Sequence, residues 1–167
     1  MEDIEDLKKQ NIGNAGEYYV AALLSARNYT TTLTLCRAER YDIIAVVPNG
    51  KTFKFSVKTR FKQEGHYFTL SERDEKKPEN DLFYILVRLH SFQEEPEFWV
   101  IPSKRVSTLI TTAHKKWLRT PGRHGQAHNN SSVRKIPIEL RGADTLYYPK
   151  NWPKEMKKYY KNFDILR

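Results

Sequence analysis

The run YDIIAVVPNGKTFKFSVKTR, residues 41–60, decides the fold of this 167-residue chain. Tyr41 to Val47 is a short apolar run of the kind found in strands covered on both faces. Pro48-Asn49-Gly50 follows as a turn, because Asn and Gly accept positive φ at little steric cost. Lys51 to Lys58 then alternates. Phe53, Phe55 and Val57 face one way, and Lys54, Ser56 and Lys58 face the other. Residues 41–58 therefore read as a β-hairpin that brings Asp42, Ser56 and Lys58 to one of its ends.

Upstream, Asn14 is a good N-cap and Glu17 sits three residues later, as in a capping box. This predicts a helix from about Asn14 to Arg27 with Val20, Leu23 and Leu24 on its apolar face. Thr31 to Cys36 alternates as a strand, with Leu33 and Leu35 on one side. Downstream, residues 71–81 read as a charged loop. Leu82 to Leu89 and Phe98 to Ile101 read as strands joined by a turn over Gln93 to Pro96. Ser103 is placed to cap a second helix to about Arg119, in which Val106, Leu109, Ile110, Ala113 and Trp117 keep helical spacing. Residues 120–132, rich in Gly, Asn, Ser and His, read as a long loop. Pro153 suits the first position of a short helix whose Met156, Tyr159, Tyr160 and Phe163 are spaced to dock on the core. The order predicts an α/β (mixed α+β) domain, a central mixed sheet flanked by helices. One domain is expected over 1–167, with a core at about 12–120 and a basic C-terminal extension at about 121–167.

Composition narrows the class. Hydrophobic residues make up 39% and aromatics 13%, which excludes a disordered chain. No run of eighteen apolar residues occurs. The N-terminal MEDIEDLKKQ is acidic and lacks the apolar segment of a signal peptide. Cys36, the single cysteine, excludes an intrachain disulfide and a cysteine zinc cluster. A cytoplasmic protein with no membrane partner is the expectation.

The net charge of +9 is unevenly placed. Residues 1–102 carry 14 basic and 16 acidic side chains, a net of −2, and residues 103–167 carry 15 and 4, a net of +11. Such asymmetry points to an anionic partner, most often nucleic acid. Lys115, Lys116, Arg119, Arg123, Arg134 and Lys135 are the candidate phosphate contacts. Cations in a last helical turn also offset the helix dipole with no ligand. His114, His124 and His128 lie close in sequence, but the stretch lacks the hairpin and helix of an HNH-type finger. A metal site is therefore not expected there.

Four residues carry the chemistry. Glu17 lies on the apolar side of its helix, where a carboxylate is costly unless something pairs it. With Asp42, Ser56 and Lys58 it forms a set suited to phosphodiester hydrolysis. Mg²⁺ prefers hard oxygen ligands and takes one or two carboxylates. A lysine can stabilise developing charge or help deprotonate the nucleophile. Each residue also has a purely structural reading: Glu17 as capping-box acceptor, Asp42 and Lys58 as a cross-strand ion pair, Ser56 as a solvent-facing strand residue.

The stretch from Gly16-Glu17 through Tyr41-Asp42 to Ser56-Val57-Lys58-Thr59-Arg60 resembles the PD-(D/E)XK nuclease superfamily, which includes restriction endonucleases and Holliday-junction resolvases. Asp81 to Tyr84, Phe98 to Ser103 and His114 to Trp117, with the loop that follows, look similar to its small bacterial members. The resemblance implies a restriction-endonuclease-like core and a Mg²⁺-dependent DNA endonuclease, with Mn²⁺ as a substitute. It implies catalytic or metal-binding roles for Glu17, Asp42 and Lys58, the Val57 carbonyl as a further metal ligand, and a homodimer. Two positions depart from the pattern. Tyr41 stands where proline is usual, and Ser56 stands where a second acidic residue is expected. Ser is a weak neutral donor, so a catalytically weak or inactive DNA-binding protein is the alternative, with Glu39 as a substitute carboxylate in principle. A basic protein-interaction subunit is the third reading.

Overall fold

The computed structural model describes residues 9–34, 41–61, 65–76, 78–90 and 93–166. Cys36, Leu35 and Glu39 lie outside them. In chain order the elements are α1 (Lys9–Ser25), β1 (Thr30–Leu33), β2 (Ile43–Val46), β3 (Thr52–Phe61) and β4 (Tyr67–Ser71). A 3₁₀ turn at Glu72–Glu75 leads to β5 (Leu82–Leu89), β6 (Glu97–Pro102), α2 (Ser103–Arg119), β7 (Val133–Pro137), α3 (Asp144–Tyr147) and α4 (Trp152–Tyr159).

The hairpin forms as its alternation dictates, β2 antiparallel to β3 with Ile43 opposite Phe55. Gly50 takes the turn at φ 84°, a conformation that favours glycine. The central sheet has the order β1-β2-β3-β5-β6, with only β3 and β5 parallel. It is a mixed sheet flanked by helices. The β2 strand is not buried on both faces as expected. Ile43 and Ala45 are buried while Ile44 and Val46 are half-buried, because nothing packs as tightly over its second face.

Alternation on β3 divides the core in two. Phe53, Phe55 and Val57 join Phe83, Ile85, Val87, Phe98 and Val100 against Val20 and Leu24 of α1. Leu82, Tyr84, Leu86, Trp99 and Ile101 face the other way, onto Val106, Leu109, Ile110 and Ala113 of α2. Full burial of one such side chain stabilises by about 1.5–3 kcal/mol.

Three expectations are corrected. The first helix already runs at Lys9, the first described residue, upstream of Asn14, because Ile12, Gly16, Val20 and Leu24 continue one buried stripe at four-residue spacing. Asn14 accepts from the Gln10 side chain inside the helix and caps nothing. Ser103 is the first residue of α2 rather than its cap. Its hydroxyl instead donates to the Glu79 carbonyl and accepts from the Glu79 N–H. A second sheet was not anticipated, in which β4 pairs antiparallel with β7 from Tyr67↔Pro137 to Ser71↔Val133.

That small sheet ties the C-terminal part to the rest. Ile136, Tyr148, Trp152 and Met156 join the same buried cluster as Phe68, Leu70 and the α2 face. The boundary near residue 120 is a boundary of charge, not of packing. Pro153 stands in the first turn of α4, and Met156 is buried as expected, but the helix ends at Tyr159, Tyr160 is exposed, and Phe163 is buried beyond the helix in the other core cluster, so helical spacing does not carry the four residues onto one face.

Candidate active site

Asp42 is fixed by its backbone before its carboxylate does anything. Its N–H donates to the Phe55 carbonyl at 2.7 Å, and its own carbonyl accepts from the Thr34 N–H at 2.9 Å. The Thr34 hydroxyl donates to the Tyr41 carbonyl at 2.8 Å and clamps the approach to the strand. The β2–β3 ladder ends at Ile43↔Phe55. Beyond that point the Asp42 side chain replaces the missing strand partner, and Oδ2 accepts the Val57 N–H at 2.6 Å. The Ser56 hydroxyl donates to the same oxygen at 3.4 Å.

The bond to Val57 fixes a further direction. In an extended strand the N–H and C=O of one residue point to the same side. Val57 therefore presents its carbonyl toward the edge on which Asp42 sits. Ser56 is 2% exposed, which overturns the solvent-facing reading.

Glu17 is half-buried on α1. Its carboxyl is pushed above the usual carboxylate range, first by burial, then by the negative Asp42, with Lys58 pulling back. Both neighbours thus lie within electrostatic reach of Glu17, although the three come from α1, the approach to β2 and the second half of β3. The capping-box role is excluded, since Glu17 stands at the middle of α1, two turns past its first residue. The set offers two carboxylates and one main-chain carbonyl, hard oxygen donors of the type Mg²⁺ takes. No group of three or more His, Cys, Asp or Glu side chains suited to a metal occurs among the described residues.

A close approach sets the helix–strand spacing here. A Cβ added at Gly16 would lie 1.9 Å from Thr59 Oγ1 and 2.8 Å from both Thr59 Cβ and Cγ2. Gly16 precedes Glu17 and Thr59 follows Lys58, so this contact sets the spacing of the backbone that carries those two side chains. Beside the site, a cavity of about 490 Å³ is lined by Val57, Lys58, Thr59, Arg60 and Tyr67, with Lys9 at its rim.

The basic residues divide. Lys115, Lys116, Arg119, Arg123 and Lys135 are exposed. Arg134 is 5% exposed and bonds inward to Glu75 and to the Ser131 and Val133 carbonyls. Its alternating strand position turns it toward the core side of β7, where it also lines the cavity between α2 and β7. The three histidines do not converge. His114 bonds Asn130 and stacks on Trp117, His128 stacks on Trp117 at 4.1 Å between ring centroids, and His124 is exposed.

One cluster escaped the sequence. Asp144, 3% exposed, accepts from the Tyr67 hydroxyl, from His66 at 2.8 Å and from the Arg141 N–H at 3.0 Å. Burial and this carboxylate hold the Tyr67 phenol well above its ordinary range. Nothing local signals a pair 77 residues apart.

Together these features define a mixed α+β domain in which Glu17 lies within electrostatic reach of Asp42 and Lys58 beside β3, the middle strand of its central sheet. The same fold occurs in a bacterial homing endonuclease, I-Ssp6803I, whose solved structure superposes with a TM-score of 0.50 at 11% identity, over 96% of this chain and 94% of that one. No family model matches the chain. No curated protein matches it in sequence. No helix of the described residues is long and apolar enough to cross a membrane.

Proposed function

We propose that this protein is a divalent-metal-dependent DNA endonuclease of the PD-(D/E)XK type. The observation that carries the reading is the edge of β3, where Asp42 Oδ2 holds the Val57 N–H at 2.6 Å and Glu17 and Lys58 share its electrostatic field. The fold shared with a homing endonuclease supports it.

Asp42, Glu17 and the Val57 carbonyl would hold Mg²⁺, or Mn²⁺ in its place. The bound cation supplies charge neutralisation at the scissile phosphate and an acidified water. Lys58, within electrostatic reach of Glu17, stabilises the developing negative charge or accepts a proton from the nucleophile. The Val57 N–H fixes the Asp42 carboxylate, and Ser56 lies beside it with a long 3.4 Å contact and no charge. The exposed cations Lys115, Lys116, Arg119, Arg123 and Lys135 grip the phosphate backbone. A second copy of the chain would supply the cut on the opposite strand.

Ser56 favours a second reading, a DNA-binding protein that cuts weakly or not at all, because the described residues offer only two carboxylates. The experiment is cleavage of supercoiled plasmid DNA in Mg²⁺ and in Mn²⁺. Nicking or linearisation that disappears in Asp42→Ala and in Lys58→Ala supports the endonuclease. Salt-sensitive binding with no cutting in either metal supports the second reading.

A further inference from the structure

A second cavity of about 300 Å³ opens between α2, β7 and α3. Its walls include the rings of Tyr67, Trp117, Tyr147 and Tyr148, with Lys135 and His114 at the sides. Tyr67 also lines the cavity beside Val57 and Lys58, so the two spaces adjoin across one side chain. Three walls are held by hydrogen bonds. The Tyr67 hydroxyl donates to buried Asp144, the Tyr148 hydroxyl donates to the Lys135 carbonyl at 2.7 Å, and His114 is paired with Asn130 at 2.8 Å. His128, which is not a wall, and His114, which is, both stack on Trp117, at 4.1 and 5.4 Å between ring centroids. The Lys135 ammonium lies 5.0 Å from the centre of the Tyr67 ring and is exposed, as are Lys115, Lys116 and Arg119 on α2.

We infer that this cavity takes one unstacked nucleobase of the bound strand, stacked against the Trp117 and tyrosine rings while Lys135 meets its phosphate. The inference rests on the endonuclease reading and adds a recognition element beside the hydrolytic edge. The volume suits a single nucleotide. The walls are pre-organised, so little ordering entropy opposes binding. Flat aromatic faces with a cation beside them are the usual means of holding bases of an unpaired strand. The buried carboxylate of Asp144 already accepts from three donors, one of them the Tyr67 hydroxyl, so its role is to position Tyr67.

The test measures binding in EDTA by fluorescence anisotropy. The probes are a labelled single-stranded oligonucleotide and an abasic oligomer of the same length. The base-bearing strand should bind about tenfold more tightly, the range expected for one stacked base. Trp117→Ala should abolish that difference, Trp117→Phe should retain most of it, and Lys135→Ala should weaken both probes equally. Equal affinity for the two probes, or equal weakening of both by Trp117→Ala with Trp117→Phe still folded, overturns the inference. Metal-dependent cutting without a base preference removes the pocket and leaves the endonuclease. A base preference without cutting in any metal removes the endonuclease and leaves the pocket.

Discussion

Gly16→Ala is the most informative single perturbation of the scaffold. The new methyl would sit 1.9 Å from Thr59 Oγ1 and 2.8 Å from Thr59 Cβ. Rotating Thr59 removes the first contact and not the second, because Cβ is fixed to the backbone of β3. The helix must therefore move away from the sheet by several tenths of an ångström or more. Overpacking of this kind costs about 1–3 kcal/mol, and the gain in helix propensity from Gly to Ala returns about 1 kcal/mol. The net is a loss of up to about 2 kcal/mol, or up to about 8 °C in Tm for a chain of this length. Gly13, in the same helix, has nothing within 4 Å of its added Cβ, so Gly13→Ala should gain up to about 1 kcal/mol. Thermal unfolding of the two variants reads the difference directly. Plasmid cleavage should fall in Gly16→Ala alone, because Glu17 and Lys58 are drawn apart. Thr59→Ala should partly rescue Gly16→Ala in a double-mutant cycle. A Gly16→Ala protein as stable as Gly13→Ala would refute the close packing of α1 on β3.

Glu17→Gln should raise Tm at neutral pH in the absence of metal by about 1–3 °C, because the raised Glu17 pKa makes its ionisation unfavourable in the folded state. The sign follows from linkage: the wild-type advantage at low pH is lost as pH rises through the folded pKa, so the gap between variant and wild type should close at pH 4 in thermal melts. Ser56→Asp places a third carboxylate at a 2% exposed position and should destabilise the metal-free protein by about 3 kcal/mol, while Mg²⁺ should restore much of the loss. Denaturant titrations with and without Mg²⁺ check both halves. Glu155→Gln breaks the two-point pairing with Arg105 at 2.5 and 2.8 Å. Since the Arg105 partner holds the Glu155 carboxyl below its usual range, its contribution is present at neutral pH and lost on acidification. The variant should be less stable than wild type at pH 7 by about 1 kcal/mol and equal to it near pH 3.

The hairpin and the α2 helix were legible because both rest on local periodicity: alternation in Thr52 to Lys58, and the spacing of Val106, Leu109, Ile110 and Ala113. Asp42 was legible because a carboxylate opening an apolar strand needs a purpose, and the register places it beside Ser56. The β4–β7 ribbon was not, since YFTLS and VRKIP are five-residue strands that pair only with each other across the chain. The inward turn of Arg134 follows from that pairing and was hidden with it. The start of α1 was obscured by Gly13 and Gly16, poor helix formers whose second member is required by Thr59. The Tyr67–Asp144 pair depends on two elements that sequence pattern does not connect.

The central claim is that Glu17, Asp42 and the Val57 carbonyl form one divalent-cation site. A crystal soaked in Mn²⁺ and measured for anomalous scattering tests it most directly. The account predicts a single anomalous peak within coordination distance, about 2.0–2.3 Å, of the Asp42 carboxylate and the Val57 carbonyl, with Glu17 bound directly or through water, and its loss in Asp42→Ala. Anomalous density elsewhere, with none between these three residues at saturating Mn²⁺, would contradict it.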